Sequence, residues 1–132
     1  MKKTATAALA AALLAAGAAH GDEFTQEDLE RWAAQFEQVA QRGRELWTSP
    51  ELGTNGVVCA QCHPNAANTH PETYPKFQKQ LGRVAALREM INWCIRNPLQ
   101  GENLALDDPR MIALEAYIHK ERRGVPLEPG KH

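Results

Sequence analysis

Apolar side chains recur at helical spacing over residues 25–47. Four large ones share one face of the helix that this spacing predicts, namely Leu29, Trp32, Phe36 and Val39. Thr25 suits the N-cap position, because its hydroxyl can accept a hydrogen bond from an unpaired amide of the first turn. Ser49, Pro50 and Gly53 then interrupt the pattern. We therefore predict a first helix over residues 25–47.

A second apolar stripe predicts a helix over about residues 83–96. Its members are Val84, Leu87, Ile91 and Cys94. Pro98 and Gly101 follow the stripe and end the predicted helix, since both residue types are typical of the segment beyond a helix C-terminus. Cys94 is thus placed on the apolar face of this helix.

The last helical pattern begins at Asp107 or Asp108 and ends near Gly124. Pro109 occupies a first-turn position, where its missing N–H has no helical partner to lose. The apolar stripe consists of Met111, Leu114, Tyr117 and Ile118. This pattern predicts a third main helix with a buried face.

Residues 53–75 are rich in Gly, Asn, Pro and Thr and show no sustained helical or strand period. We predict a loop here, apart from a short helical turn around the cysteines. Elsewhere we find no alternation that predicts a strand and no internal repeat. The predicted fold class is all-α, with about three main helices.

The N-terminus has the layout of a secretory signal. Two lysines follow Met1, an apolar Ala/Leu stretch comes next, and small residues close the segment. We predict cleavage before Asp22, which gives a signal peptide at residues 1–21 and one domain at residues 22–132. The apolar stretch is shorter than the ~20 residues that cross a bilayer, although an uncleaved anchor remains an alternative. The mature chain is expected in the periplasm, without a membrane span.

The charge balance and the number of cysteines limit the functions that the protein can have. The whole chain has 15 Lys and Arg against 16 Asp and Glu, and the predicted cleavage removes two of the lysines. No basic patch indicates nucleic-acid binding. A domain of this length has a small core, which a large covalent cofactor would supplement. The three cysteines are an odd number for an exported protein, so a disulfide framework alone does not account for them.

The strongest motif is the pentad Cys-Ala-Gln-Cys-His at residues 59–63. Its spacing lets two thiols add to the two vinyl groups of one haem while the adjacent imidazole binds the iron. We therefore predict one covalent haem c, attached to Cys59 and Cys62, with His63 as the proximal ligand. Two alternatives remain: a zinc site that adds Cys94 and an imidazole to the pentad thiols, and a redox-active dithiol.

Three segments resemble the monohaem class I cytochrome c family. They are Gly-Arg-Glu-Leu-Trp at residues 43–47, Gly-Thr-Asn-Gly-Val-Val at residues 53–58 and Leu-Glu-Ala-Tyr-Ile at residues 114–118. The resemblance implies a cytochrome c-like fold of three main helices around the haem, in which the first and last helices cross near Gly43 and Tyr117. It also implies that the carbonyl of Pro75 accepts the proton of the proximal imidazole and fixes that ring.

Two residues could supply a sulfur atom as the distal iron ligand. Met111 follows the proximal histidine at a possible loop length, but it opens the apolar stripe of the last helix and is more typical of a core methionine. Cys94 lies on the apolar stripe of the second helix and would direct its sulfur into the haem pocket. The alternatives are a buried structural cysteine, a distal histidine at His70 or His119, and an open site.

A second resemblance concerns the distal side. Ile-Asn-Trp-Cys-Ile at residues 91–95, Gly101 and residues 109–117 are similar to the haem domains of thiosulfate dehydrogenases and related sulfur-oxidation cytochromes. This resemblance implies a histidine and cysteine pair on the iron, with Cys94 as the distal ligand and Met111 as the alternative. The chain departs from the dehydrogenases in having one haem motif instead of two.

Two functions fit these features. In the first, the domain is a periplasmic electron carrier of low potential that serves redox partner proteins, among them a second haem subunit, in sulfur-compound oxidation. In the second, it is the haem subunit of a thiosulfate-type oxidoreductase or a binder of NO or CO, and the distal ligand must leave. Residues 97–101 could permit that movement, and Arg83, Arg88 and Arg96 could neutralise the thiolate or the haem propionates.

Overall fold

The computed structural model describes residues 23–127, which form a mainly helical domain. Its helices are α1 (Gln26–Thr48), α2 (Cys59–Cys62), α3 (Leu87–Arg96) and α4 (Pro109–Arg122), and its strands are β1 (Lys76–Gln78) and β2 (Arg83–Ala85). Short 3-10 turns lie at Pro50–Leu52, Pro64–Ala66 and Pro71–Thr73. Within residues 23–127, no helix combines the length and apolar character needed to cross a membrane. The predicted signal peptide, residues 1–21, lies outside the described residues.

The first predicted helix is confirmed, but only its C-terminal half enters the core. Thr25 caps α1 as expected, because its hydroxyl accepts a hydrogen bond from the Asp28 amide at 3.1 Å. The buried residues of α1 are Ala40, Gly43, Leu46 and Trp47. Three members of the predicted apolar face, Leu29, Trp32 and Val39, are exposed instead. The N-terminal half of α1 therefore presents its apolar face to solvent.

The expectation of a strictly all-α fold is wrong at residues 76–85. Strands β1 and β2 pair antiparallel there, with Phe77 opposite Val84. The helix predicted from residue 83 begins only at Leu87, because the carboxylate of Glu89 accepts a hydrogen bond from the Ala86 amide at 2.8 Å and caps α3 at that point. Three-residue strands are too short to produce the alternation that would have predicted them.

Helix α4 begins and buries its stripe as predicted. The carboxylate of Asp108 accepts a hydrogen bond from the Arg110 amide at 2.8 Å, and Pro109 occupies the first turn. The buried side chains of this helix include the predicted stripe of Met111, Leu114, Tyr117 and Ile118. They share one core cluster with residues of α1 and α3.

The expected crossing of the first and last helices is present. A Cβ atom added to Gly43 would lie 1.9 Å from the carbonyl oxygen of Ala113 and 2.7 Å from Cβ of Tyr117. Only glycine permits this backbone approach. The contact fixes α4 against the end of α1 that carries Trp47, next to the pentad.

Candidate haem site

The pentad forms one helical turn on the surface of the core. Cys59 is half-buried and Cys62 is exposed, and neither forms a disulfide. The side-chain oxygen of Gln61 accepts a hydrogen bond from the Val58 amide at 2.9 Å and closes the turn. Helix α2 ends at the second cysteine, so that His63 follows as its C-cap. Both thiols and the imidazole are therefore presented from a single short turn.

Trp47 connects this turn to the main helices. Its indole N–H donates to the carbonyl oxygen of His63 at 2.8 Å. The same ring lies 5.6 Å from the ring of Tyr117 on α4, measured between centroids. The backbone of His63 is therefore held by the α1–α4 crossing.

The proximal imidazole is oriented by a carbonyl, although not by the predicted one. Nδ1 of His63 lies 2.8 Å from the carbonyl oxygen of Ala67, and because a carbonyl only accepts, Nδ1 carries the proton. Nε2 then keeps the lone pair that can bind iron. Asn65 and Ala66 have positive φ angles and fold the chain back within four residues. This turn supplies the acceptor locally in this structure, and support of the imidazole by Pro75 stays a prediction.

The segment before the pentad is bonded to the segment after α3. The amide and hydroxyl of Thr54 donate to the carbonyls of Leu99 (3.0 Å) and Gln100 (2.8 Å), and the side-chain amide of Asn55 donates to the carbonyl of Pro98 (2.9 Å). Leu99 is buried in the core cluster. These bonds hold the C-terminal end of α3, and with it Cys94, next to the pentad.

The three thiols and Tyr74 share one electrostatic environment. Burial raises the pKa of Cys94 to about 11, and the charge of Cys62 adds to this effect. Burial, followed by the charge of Cys94, raises the pKa of Cys59 and of Tyr74 to about 12. Cys94 is therefore neutral near pH 7 on its own account, and a bound metal ion would be needed to hold it as a thiolate.

Met111 lies in a different environment from Cys94. Its side chain is 0% exposed, within the cluster that includes Leu46 and Leu114. Cys94 is half-buried. The core packing of Met111 agrees with the interpretation of this residue as a core methionine.

The donor set fits a covalent haem. The pentad presents two thiols and an imidazole whose Nε2 is not hydrogen-bonded, and partly buried apolar residues pack against the core beside them, among them Val57, Ala60 and Tyr74. A haem needs such an apolar surface beside its ligands. Across residues 23–127, no three His, Cys, Asp or Glu side chains converge as a metal site.

Two of the arginines considered for the thiolate are engaged elsewhere. Arg83 pairs with Glu89 at 2.6 Å. Arg88 pairs with Glu115 of α4 at 2.6 Å and also donates to the carbonyl of Leu106. Their charges are thus directed at carboxylates. Arg96 is exposed at the end of α3.

The two histidines considered as distal ligands differ in burial. His70 is buried, and neither ring nitrogen has a hydrogen bond, although its Nδ1 lies 3.5 Å from the carboxylate of Glu72. His119 is exposed on α4. Neither position is tied to the pentad by a hydrogen bond among the described residues.

A family model described as SoxA/TsdA, cytochrome c domain, matches residues 42–127. The chain belongs to this family. As a SoxA/TsdA-type cytochrome c domain, it carries covalently bound haem c with iron. The match begins within α1, so it covers the α1–α4 crossing, the pentad and α3, but not the exposed first half of α1.

Curated relatives come from sulfur metabolism. The chain is 32% identical over 90 residues to a thiosulfate dehydrogenase of Allochromatium vinosum, covering 59% of this chain and 33% of the relative. It is 31% identical over 90 residues to the L-cysteine S-thiosulfotransferase subunit SoxA of Rhodovulum sulfidophilum, covering 66% and 31%. A thiosulfate dehydrogenase of Stutzerimonas stutzeri is 26% identical over 126 residues, covering 84% and 41%. The chain thus spans about a third of the length of the first two relatives.

The structural role of Asn92 was not predicted from the sequence. It is buried on α3, and its side chain both donates to the carbonyl of Leu104 at 2.8 Å and accepts from the amide of Leu104 at 2.9 Å. These bonds fix α3 to the segment that leads into α4. An amide side chain between two apolar neighbours, Ile91 and Trp93, was the available signal.

Proposed function

We propose that this domain is a one-electron carrier whose haem is attached to Cys59 and Cys62 and whose iron is bound by His63 and Cys94. The observation that carries the proposal is the half-buried thiol of Cys94, which lies within electrostatic range of both pentad thiols. The haem supplies a reversible store for one electron. The chain's own residues orient the proximal imidazole and hold the distal sulfur in place.

The anchoring of residues 97–101 supports a permanently bound distal ligand. This segment was considered flexible, yet Thr54 and Asn55 bond to it and Leu99 is buried. A haem that binds NO or CO must release its distal ligand, which these contacts oppose. The proposal is therefore a six-coordinate carrier.

Thiosulfate chemistry is the second candidate, favoured by the names of the relatives. A dianionic substrate would need cationic side chains near Cys94. Arg83 and Arg88 are instead paired with Glu89 and Glu115. Of the three arginines, Arg96 alone is exposed without an ion pair among the described residues, and because one cation is weak support for binding a dianion, we favour electron transfer to or from a sulfur-oxidising partner over catalysis at this haem.

The proposal also covers the cellular location and the reduction potential of the domain. We place the domain in the periplasm, with a low reduction potential set by a thiolate ligand. About two thirds of the length of each of these relatives lies outside the matched part. We therefore propose that a separate redox partner, such as a second haem subunit, completes the electron path.

The test uses the full chain produced in a host that attaches haem c. We expect one haem per chain, no complex of the reduced protein with CO, and no reduction of the ferric haem by thiosulfate alone. The variant with Cys59→Ala and Cys62→Ala should lose covalent haem, whereas Ala60→Ser, between the two cysteines, should retain it. Rapid CO binding, or thiosulfate-dependent reduction that requires Cys94, would contradict the carrier and favour the catalytic alternative.

A further inference from the structure

The β1–β2 hairpin brings Tyr74 back towards α3, the helix that carries Cys94. Lys76 pairs with Ala85, the last residue of β2, and α3 begins two residues after that pair. Tyr74 lies two residues before Lys76, so the antiparallel pairing returns it to the start of α3. Its ring packs against the core cluster, as Cys59 of the pentad does. Tyr74 is therefore placed beside both the pentad and α3.

The hydroxyl of Tyr74 is held in place and keeps an unused proton. The side-chain amide of Gln78 donates a hydrogen bond to the hydroxyl oxygen. The ammonium group of Lys76 lies over the ring, 4.7 Å from its centroid. A phenol oxygen that accepts one bond can still donate its own proton, and within residues 23–127 that proton has no acceptor. The hydroxyl is thus oriented as a free donor.

The surroundings of Cys94 offer few other donors. One helical turn before Cys94, on the same face of α3, lies Met90, a half-buried thioether without a polar hydrogen. Arg83 and Arg88 are paired with carboxylates. Burial raises the pKa of Tyr74 to about 12, and the charge of Cys94 adds to this effect. Tyr74 and Cys94 therefore share one local environment, in which Tyr74 is the available donor.

We propose that the hydroxyl of Tyr74 donates a hydrogen bond to the Cys94 thiolate of the holoprotein and thereby raises its reduction potential. This inference rests on the proposed function, in which Cys94 binds the iron. A thiolate accepts such a bond more strongly than a neutral thiol does. Reduction increases the negative charge on the sulfur, so the bond stabilises the ferrous state more than the ferric state. Tyr74 is thus a positioning residue that acts on the iron through its distal ligand.

Potentiometric titration of the holoprotein measures this contribution. Tyr74→Phe removes only the hydroxyl and should shift the redox equilibrium about tenfold towards the ferric state, which lowers the potential by about 59 mV for one electron. Gln78→Leu removes the partner that orients the hydroxyl and should produce a smaller shift in the same direction. Gln80→Leu is the matched control, because Gln80 is exposed two residues further along the chain and should leave the potential unchanged.

The double variant with Tyr74→Phe and Gln78→Leu tests whether Gln78 acts through Tyr74. Its potential should equal that of Tyr74→Phe alone. The inference is overturned if Tyr74→Phe shifts the redox equilibrium by less than about twofold. It is also overturned if Gln78→Leu has its full effect in the Tyr74→Phe background.

Paramagnetic resonance of the same ferric samples separates this inference from the proposed function. After exchange into heavy water, pulsed electron–nuclear double resonance should detect a deuteron near the iron-bound sulfur in the wild type that is missing from Tyr74→Phe. Both proteins should show the low-spin thiolate signature. If both show it and their deuteron spectra agree, the inference alone is wrong. A wild type without the thiolate signature overturns the proposed function as well.

Discussion

The sulfur atoms of Cys94 and Met111 stand in similar sequence settings but in different parts of the structure. Each lies on the apolar stripe of a main helix, α3 for Cys94 and α4 for Met111. Met111 is wholly enclosed by core residues, whereas Cys94 is half-buried, and its pKa is raised by burial and then by the charge of Cys62. A stripe position alone therefore does not distinguish a core sulfur from a candidate ligand.

The difference has a physical reason. A core side chain makes its contacts within the protein, so its surroundings are already closed. A ligand to a large cofactor must border a surface that the cofactor itself covers. Partial exposure beside Cys59 and Tyr74 is what this second role requires, and Cys94 has it.

Truncation of Met111 should have the largest effect on stability and the smallest on the haem. Met111→Ala is expected to lower the free energy of unfolding by about 2–5 kcal/mol, because it leaves a cavity in the core. Urea denaturation of the holoprotein measures the loss. Met111→Leu, which nearly conserves volume, should cost less than about 1.5 kcal/mol.

The haem absorbance spectrum distinguishes a core role of Met111 from a role as the distal iron ligand. Both Met111 variants should retain the wild-type spectrum at neutral pH. A change of ligand-field bands in Met111→Leu would instead assign the distal position to Met111.

Loss of the Asn92 side chain should lower the free energy of unfolding by a smaller amount. The affected contacts lie on α3, the helix that carries Cys94. Asn92→Ala leaves the amide and carbonyl of Leu104 without their buried partner, at a cost of about 1–3 kcal/mol. Urea denaturation again measures the cost, with Asn97→Ala, at the exposed C-cap of the same helix, as the control. Equal effects of the two substitutions would show that the paired bonds to Leu104 do not hold α3.

The smallest expected effect is on stability at acidic pH, and it concerns α4, the helix that carries Met111. Hydrogen bonds from the side chain and amide of Arg110 lower the pKa of Asp108 from its ordinary value. Because the folded state depresses this pKa, the stabilisation is present above about pH 4 and is lost as pH falls through the lowered value. Asp108→Asn keeps the capping oxygen without the charge.

Thermal unfolding at a series of pH values measures this effect. The difference between wild type and Asp108→Asn should shrink as the pH falls from about 5 to 2. A constant difference across that range would mean that the Asp108 charge contributes nothing to α4.

Much of this domain follows from the sequence because its signals are local. The limits of α1 and α4 were predicted from their caps, and the pentad has a fixed spacing. The two short strands were missed because three residues cannot show a period. The exposed stripe of α1 was missed as well, since periodicity finds an apolar face but does not say what covers it.

At the site, the feature that the sequence did not predict is the turn after the pentad. The carbonyl of Ala67 lies at Nδ1 of His63, because Asn65 and Ala66 adopt positive φ angles that reverse the chain, and the role of Pro75 stays a prediction. Alanine is rarely found in that conformation, so no residue type at this position predicted the turn. The distal thiol, by contrast, was predicted from its stripe and from the resemblance, and it remains a proposal as a ligand.

The most direct measurement is the low-temperature paramagnetic resonance spectrum of the ferric protein beside Cys94→Ala, with Met111→Leu as the control. The account predicts a low-spin thiolate signature in the wild type and the control that is absent from Cys94→Ala. It also predicts that the reduction potential of Cys94→Ala rises by on the order of 0.1 V or more, within the ~0.8 V that axial ligands span. Identical spectra and potentials for the wild type and Cys94→Ala would contradict the account.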